Sequence, residues 1–178
     1  ELVIKDLTDN DEGLVLYAYD ETGKVVSMKD SVGQTKYEYD ALGRISKVTQ
    51  PDGNTISYAY DSYGNLSSLT YPDGKSVKYE YDAMDRLTRI IDRQNEVTEY
   101  VYDKKGNLTQ TLRPNGTKTI TEYTSLNQVS KLTNYEKWGR VISNFEYTYD
   151  SLGNIIKEVI DQDNTQVVNE YTYNGRGE

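Results

Sequence analysis

The 178-residue chain contains no cysteine and no histidine. Without cysteine it has no disulfide, no thiolate nucleophile and no zinc–thiolate site. Without histidine it cannot assemble a Ser-His-Asp or Cys-His constellation, nor offer an imidazole to a metal. Phenylalanine and tryptophan occur once each, and proline three times. No apolar run approaches the length of a membrane-spanning helix. Basic residues are outnumbered 29 to 20, for a net charge of −9. That balance argues against nucleic acid and anionic membrane as partners, because both require a cationic footprint.

What is abundant is tyrosine, with 18 residues in a chain whose hydrophobic fraction is only 35%. A thin aliphatic core is therefore expected, with tyrosine rings burying area while their hydroxyls stay hydrated or bonded. The opening residues ELVIK lack an initiator methionine, which reads as a segment of a longer protein.

A repeat organises the whole chain. Y-x-Y-D-x-x-G stands in full at YAYDETG (17–23), YEYDALG (37–43), YAYDSYG (58–64), YVYDKKG (100–106) and YTYDSLG (147–153). Looser copies are YEYDAMD (79–85), TEYTSLN (121–127) and YTYNGRG (171–177). Starting positions 17, 37, 58, 79, 100 and 121 are 20 or 21 residues apart, and the last two intervals stretch to 26 and 24. A second mark keeps the same beat, because Gly33, Gly53, Gly74, Asn95 and Gly116 each follow a second tyrosine by 14 residues.

Both marks have the chemistry of hairpin turns. In D-A-L-G, Asp40 can cap a type I turn and Gly43 can take the left-handed conformation that closes it with a bulge. In Q-P-D-G, Pro51 presets φ and Gly53 plays the left-handed part. Where glycine is replaced, the substitutes are Asp85, Asn95 and Asn127, the residue types that best tolerate positive φ. Between turns, runs such as TISYAYD (55–61) alternate with period 2, placing Tyr58 and Tyr60 on one face. In GNLSSLTY (64–71), Leu66 and Leu69 are three apart, which reads either as a bulge or as a strand buried on both faces. The expected fold is all-β: tandem hairpins forming one long antiparallel meander of roughly 16 strands that twists and curls. Residues 1–178 read as a single repeat array of about eight hairpins, with an irregular insertion near 133–146.

The motif residues read as structural. Tyr37, Tyr39, Tyr58, Tyr60, Tyr100, Tyr102, Tyr147 and Tyr149 are expected to form cross-strand ladders. Asp40, Asp61, Asp103 and Asp150 are expected to cap turns, and Gly43, Gly64, Gly106 and Gly153 to close them. DNDEG (9–13) and DQDN (161–164) fall short of a calcium loop and read as turns. No catalytic, metal or cofactor residue is nominated. One binding alternative remains, in which Trp138, Phe145 and Tyr135 of TNYEKWGRVISNFE (133–146) present aromatic surface to a glycan or cell-wall polymer. Exposed sheet edges would also allow edge-to-edge self-association.

Y-x-Y-D-x-x-G-[RN]-[LIV], as in YEYDALGRI (37–45), YAYDSYGNL (58–66), YVYDKKGNL (100–108) and YTYDSLGNI (147–155), resembles the YD repeats of the Rhs family. That family includes bacterial Rhs and wall-associated toxins, toxin-complex components and teneurins. The resemblance covers essentially the whole chain. It implies a spiralling β-sheet that forms a hollow shell around a C-terminal effector domain, and hence a non-catalytic scaffold. It also implies a bacterial secreted or cell-surface parent, whose partners are further repeats and the effector of its own chain. No D-P-x-G-L type sequence is present, so no self-cleavage site is assigned.

Overall fold

The computed structural model describes residues 4–6, 15–163 and 165–174. DNDEG (9–13), Asn164 and the end of the last motif copy (175–178) lie outside these. The chain divides into two compact units, Glu1–Glu80 and Tyr81–Glu178. The first holds β1 (Ile4–Asp6), β2 (Val15–Tyr19), β3 (Val25–Lys29), β4 (Gln34–Tyr39), β5 (Ile45–Thr49), β6 (Thr55–Tyr60), β7 (Leu66–Thr70) and most of β8 (Ser76–Tyr81). Each of these strands pairs antiparallel with the next in chain order. The second unit holds β9 (Leu87–Ile91), β10 (Val97–Tyr102), β11 (Leu108–Leu112), β12 (Lys118–Tyr123), β13 (Val129–Tyr135), β14 (Val141–Tyr149), β15 (Ile155–Gln162) and β16 (Thr165–Glu170). These too pair antiparallel in chain order. The described residues contain sixteen strands and no helix.

The strand pattern follows the alternation of the sequence. In β4, Thr35, Tyr37 and Tyr39 are half-buried while Gln34, Lys36 and Glu38 are exposed. One face of each meander thus carries the tyrosines and the other carries charge, with cross-strand ion pairs such as Lys47–Glu38 at 3.1 Å. Among the described residues no apolar side chain is fully buried. The apolar face of a single sheet takes the place of a conventional core.

The leucine spacing in β7 is resolved as a bulge. Tyr60 pairs with Leu66 and Ala59 with Ser68, so Ser67 is an extra residue on the return strand. Tyr58 then pairs with Leu69, and both leucines fall on the tyrosine face. The same shift recurs at Tyr19/Val25, Tyr39/Ile45, Tyr102/Leu108, Tyr123/Val129 and Tyr149/Ile155. The i, i+3 apolar spacing of return strands such as β3, β5, β7 and β13 is therefore the signature of this bulge, which β11 and β15 share with Thr111 and Glu158 in the second place. The tyrosines' directly paired neighbours are mostly aliphatic, so the rows alternate tyrosine with Val, Ile or Leu instead of stacking ring on ring. The Tyr17–Tyr19 ring pair lies within a strand, at 6.5 Å.

The uneven intervals have local causes. At the 20-residue step the turn is tighter: Asp30 N–H donates to Gly33 O at 3.0 Å, and Asp30 Oδ1 accepts from Val32 and Gly33. Gly33 shares the beat of Gly53 but not its geometry, with φ of 146° against 84°. At the long intervals the strands lengthen, β13 to 7 residues, β14 to 9 and β15 to 8, where regular ones have 5 or 6. The segment 133–146, which breaks the beat of the repeat, forms the turn and much of the paired strands of a longer hairpin, β13–β14. Its turn is a concealed motif copy, TNYEKWGRV (133–141), with Glu136 in the aspartate's place. Glu136 N–H donates to Arg140 O at 2.8 Å and Gly139 N–H to Glu136 O at 2.9 Å, as Asp40, Arg44 and Gly43 do in theirs.

Candidate functional site

The recurring motif is the best-defined side-chain constellation in the chain. Asp40 Oδ1 accepts the N–H groups of Leu42 and Arg44, both at 2.9 Å. Asp61, Asp82, Asp103 and Asp150 each accept the same two N–H groups in their own turns. Thr124 Oγ1 substitutes in the looser copy, at 3.2 Å to both Leu126 and Gln128. The left-handed position is held by Gly43 at φ 80°, and by Asp85, Asn95 and Asn127 at 59°, 62° and 63°.

The second carboxylate oxygen faces the residue after the glycine. Arg44 donates Nε to Asp40 Oδ2 at 2.8 Å, and its Nη2 lies 2.7 Å away. Arg86 repeats this on Asp82 at 2.7 and 2.6 Å; Asn107 and Asn154 make one bond each to Asp103 and Asp150, at 2.9 Å. These bonds hold the carboxyls below the usual carboxylate range. In Asp40 the Arg44 backbone N–H is the largest cause, and in Asp82 the Arg86 side chain. In Asp103 it is the Asn107 side chain.

In six motif copies the second tyrosine hooks the preceding hairpin. Its hydroxyl donates to the backbone carbonyl of the first residue of the preceding strand, where the bulge lies: Tyr39 to Val25 at 2.7 Å, Tyr60 to Ile45 at 2.9 Å, Tyr102 to Leu87 at 2.8 Å and Tyr123 to Leu108 at 2.9 Å. Tyr149 and Tyr173 do the same to Val129 and Ile155, at 2.7 Å. Burial first, then a nearby turn aspartate, raises the phenol pKa of Tyr39 and Tyr123, so these hydroxyls remain donors at neutral pH. The guanidinium of Arg44 lies over the Tyr60 ring at 4.1 Å, and that of Arg86 over Tyr102 at 4.7 Å. Acid, base and phenol are thereby engaged in joining one hairpin to the next.

The hooks and the stacked arginines were not read from the sequence. The hook's acceptor is a backbone carbonyl, which leaves no side-chain signal. The arginines could have been found from the repeated Arg or Asn after each glycine.

The three aromatics of the binding alternative do not converge. Trp138 stands at the tip of the β13–β14 turn, 86% exposed, with Lys137 Nζ 5.1 Å from its ring. Phe145 pairs with Leu132 and Ile160 on the tyrosine face. Tyr135 falls on the opposite face, opposite Lys118, whose Nζ lies 5.0 Å from its ring.

A family model described as Teneurin YD-shell matches residues 3–178. No curated protein matches the chain. Among solved structures, the crystal structure of TcdB2-TccC3-TEV superposes with a TM-score of 0.75 at 17% identity, covering 97% of this chain and 11% of that one. TcdB2-TccC3-Cdc42 gives 0.75 at 19%, covering 94% and 10%. The Tc holotoxin pore of Photorhabdus luminescens, carrying a TccC3 mutation, gives 0.72 at 18%, covering 97% and 10%. At these identities the likeness is one of fold, and the chain spans about a tenth of the length of those structures.

Proposed function

We propose that this chain, which belongs to the Teneurin YD-shell family, is a length of non-catalytic β-shell wall in a longer secreted or cell-surface bacterial protein. The wall encloses or presents an effector domain carried elsewhere in the same polypeptide. Its partners are the neighbouring repeats and that effector. The observation that carries this reading is the hook between hairpins. Turn carboxylates bind backbone N–H groups, and the phenol hydroxyls bind carbonyls of the previous strand. Groups that could do chemistry are used to hold one hairpin to the next. The fold likeness to TcdB2-TccC3 structures supports the same reading.

The test is limited proteolysis of the full-length parent. A shell predicts that the effector resists protease while the repeats are intact and becomes cleavable when Tyr60→Phe and Tyr102→Phe loosen the wall. An effector cut at the same rate in both proteins would overturn the proposal.

A second reading, glycan or cell-wall recognition, rests on Trp138 alone, since its ring is 86% exposed at a turn tip. It predicts cell-wall pull-down that disappears in Trp138→Ala; no pull-down of the wild-type chain removes it.

A further inference from the structure

Arg44 and Arg86, each one residue past the left-handed turn position, carry out a shared task that Asn107 at the same position leaves undone. Arg86 shows the complete arrangement. Its guanidinium pairs with Asp82, lies 4.7 Å from the Tyr102 ring centroid, and sends Nη1 to the backbone carbonyl of Asp103 at 3.2 Å. Arg44 makes the equivalent pair with Asp40 and the equivalent stack on Tyr60. One repeat further on, the corresponding residues are Asp103, Asn107, Tyr123 and Thr124. Asn107 is shorter, and its amide is engaged by Asp103 Oδ2 at 2.9 Å and Asn127 Oδ1 at 3.2 Å. Among the described residues no cationic side chain stacks on Tyr123. A cleft of about 480 Å³ opens there, lined by Asp103, Lys105, Asn107, Tyr123, Thr124 and Ser125. Four of those residues are the counterparts of Arg86 and its three partners.

We propose that this cleft binds the guanidinium of an arginine side chain presented by a separate peptide segment. Asp103 Oδ2 supplies the carboxylate, the Tyr123 ring the stacking face and the Thr124 carbonyl a further acceptor. Arginine fits better than lysine because a planar fork can pair with a carboxylate and stack on a ring at once, which a point-charge ammonium cannot. Lys105 does not occupy the stacking position: its Nζ donates to Ser125 O at 2.9 Å. The net charge of −9 favours approach of a basic segment. The inference holds whatever the wall encloses.

The experiment is an NMR titration of the intact chain with N-acetyl-arginine amide, alongside its citrulline and lysine analogues. Saturable shifts of the Asn107 side-chain amide and the Thr124 amide are expected for arginine. Binding should be at least about tenfold weaker for citrulline, which keeps the shape and loses the charge. Asn107→Arg should fill the cleft from within, abolish the response and raise Tm. Equal shifts from arginine and citrulline would overturn the proposal, as would undiminished binding in folded Asn107→Arg. The comparison of arginine with citrulline on the wild-type chain decides without the variant.

Discussion

In a short hairpin such as β4–β5, strands of 5 or 6 residues set tyrosine opposite an aliphatic side chain on one face, and the other face is exposed in β4 and half-buried in β5. In the long hairpin β13–β14 the added length is polar. Asn134 accepts from Thr119 Oγ1 at 2.8 Å and donates to Ser143 Oγ at 2.9 Å. On the opposite face Thr133 Oγ1 donates to Asn144 Oδ1 at 3.0 Å, and Asn144 and Lys131 both donate to Glu146 Oε1. The only buried residues described, Thr133 at 4% and Ser143 at 5% exposure, belong to these chains. A single-layer sheet therefore reaches full burial only where strands are long enough for side chains to shelter one another. The groups it buries there are polar and bonded, as buried polar groups must be. The short hairpins depend instead on what happens at their turns.

Acid should have the largest effect, because it acts on every aspartate cap at once and also on Glu136 and Glu146 of the long hairpin, whose carboxyls are held low by Arg140 and Lys131. The folded-state pKa values of Asp20, Asp40, Asp61, Asp82, Asp103 and Asp150 are all lowered. Their stabilisation is thus full above the unfolded carboxyl pKa of about 3.9 and is lost as pH falls through the lower folded values. With no histidine, a thermal melt should give a level Tm between about pH 5.5 and 8. Below about pH 4 it should fall, and amide exchange should rise in the carboxylate-capped turns. A Tm that slopes through neutrality would break the account.

Next in size is a pair of glycines. An added Cβ at Gly33 (φ 146°) would meet Pro51 Cβ at 2.6 Å, whereas at Gly139 (φ 89°), in the long hairpin, nothing lies within 4 Å. Gly33→Ala should cost about 2 kcal/mol and Gly139→Ala about 1 kcal/mol in urea unfolding, the smaller value being backbone strain alone. Asn134→Ala should cost about 1 kcal/mol by leaving buried Ser143 without its donor. A double-mutant cycle with Thr119→Ala should show non-additivity, and additive costs would dissolve the polar chain. The smallest effect is a gain: Asn95→Gly, which relieves a non-glycine residue at φ 62°, should stabilise by about 0.5 kcal/mol.

How much was legible follows the same division. Turns write themselves into sequence, because positive φ restricts the residue to Gly, Asn or Asp; Asp85, Asn95 and Asn127 were readable for that reason. The family resemblance was readable from the repetition of whole motifs. The bulge was half-legible in the spacing of Leu66 and Leu69, which one strand alone could not assign to a face. Gly33 was grouped with Gly53 because glycine marks a freedom and not one conformation. The β13–β14 turn was missed because Glu136 and Thr133 stand where Asp and Tyr stand elsewhere. Of the aromatics offered as a binding surface, Tyr135 and Phe145 could not be placed on opposite faces until the register pairing Phe145 with Leu132 was known.

The central claim is that in the regular copies YAYDSYG and YVYDKKG the second tyrosine is a fastener and the first is not. The hydroxyls of Tyr60 and Tyr102 bind the Ile45 and Leu87 carbonyls, while those of Tyr58 and Tyr100 make no protein hydrogen bond among the described residues. The direct measurement is equilibrium urea unfolding of the four single Tyr→Phe variants. Tyr60→Phe and Tyr102→Phe should each lose about 1 kcal/mol, with Tyr58→Phe and Tyr100→Phe unchanged. Equal losses at all four positions would contradict the account.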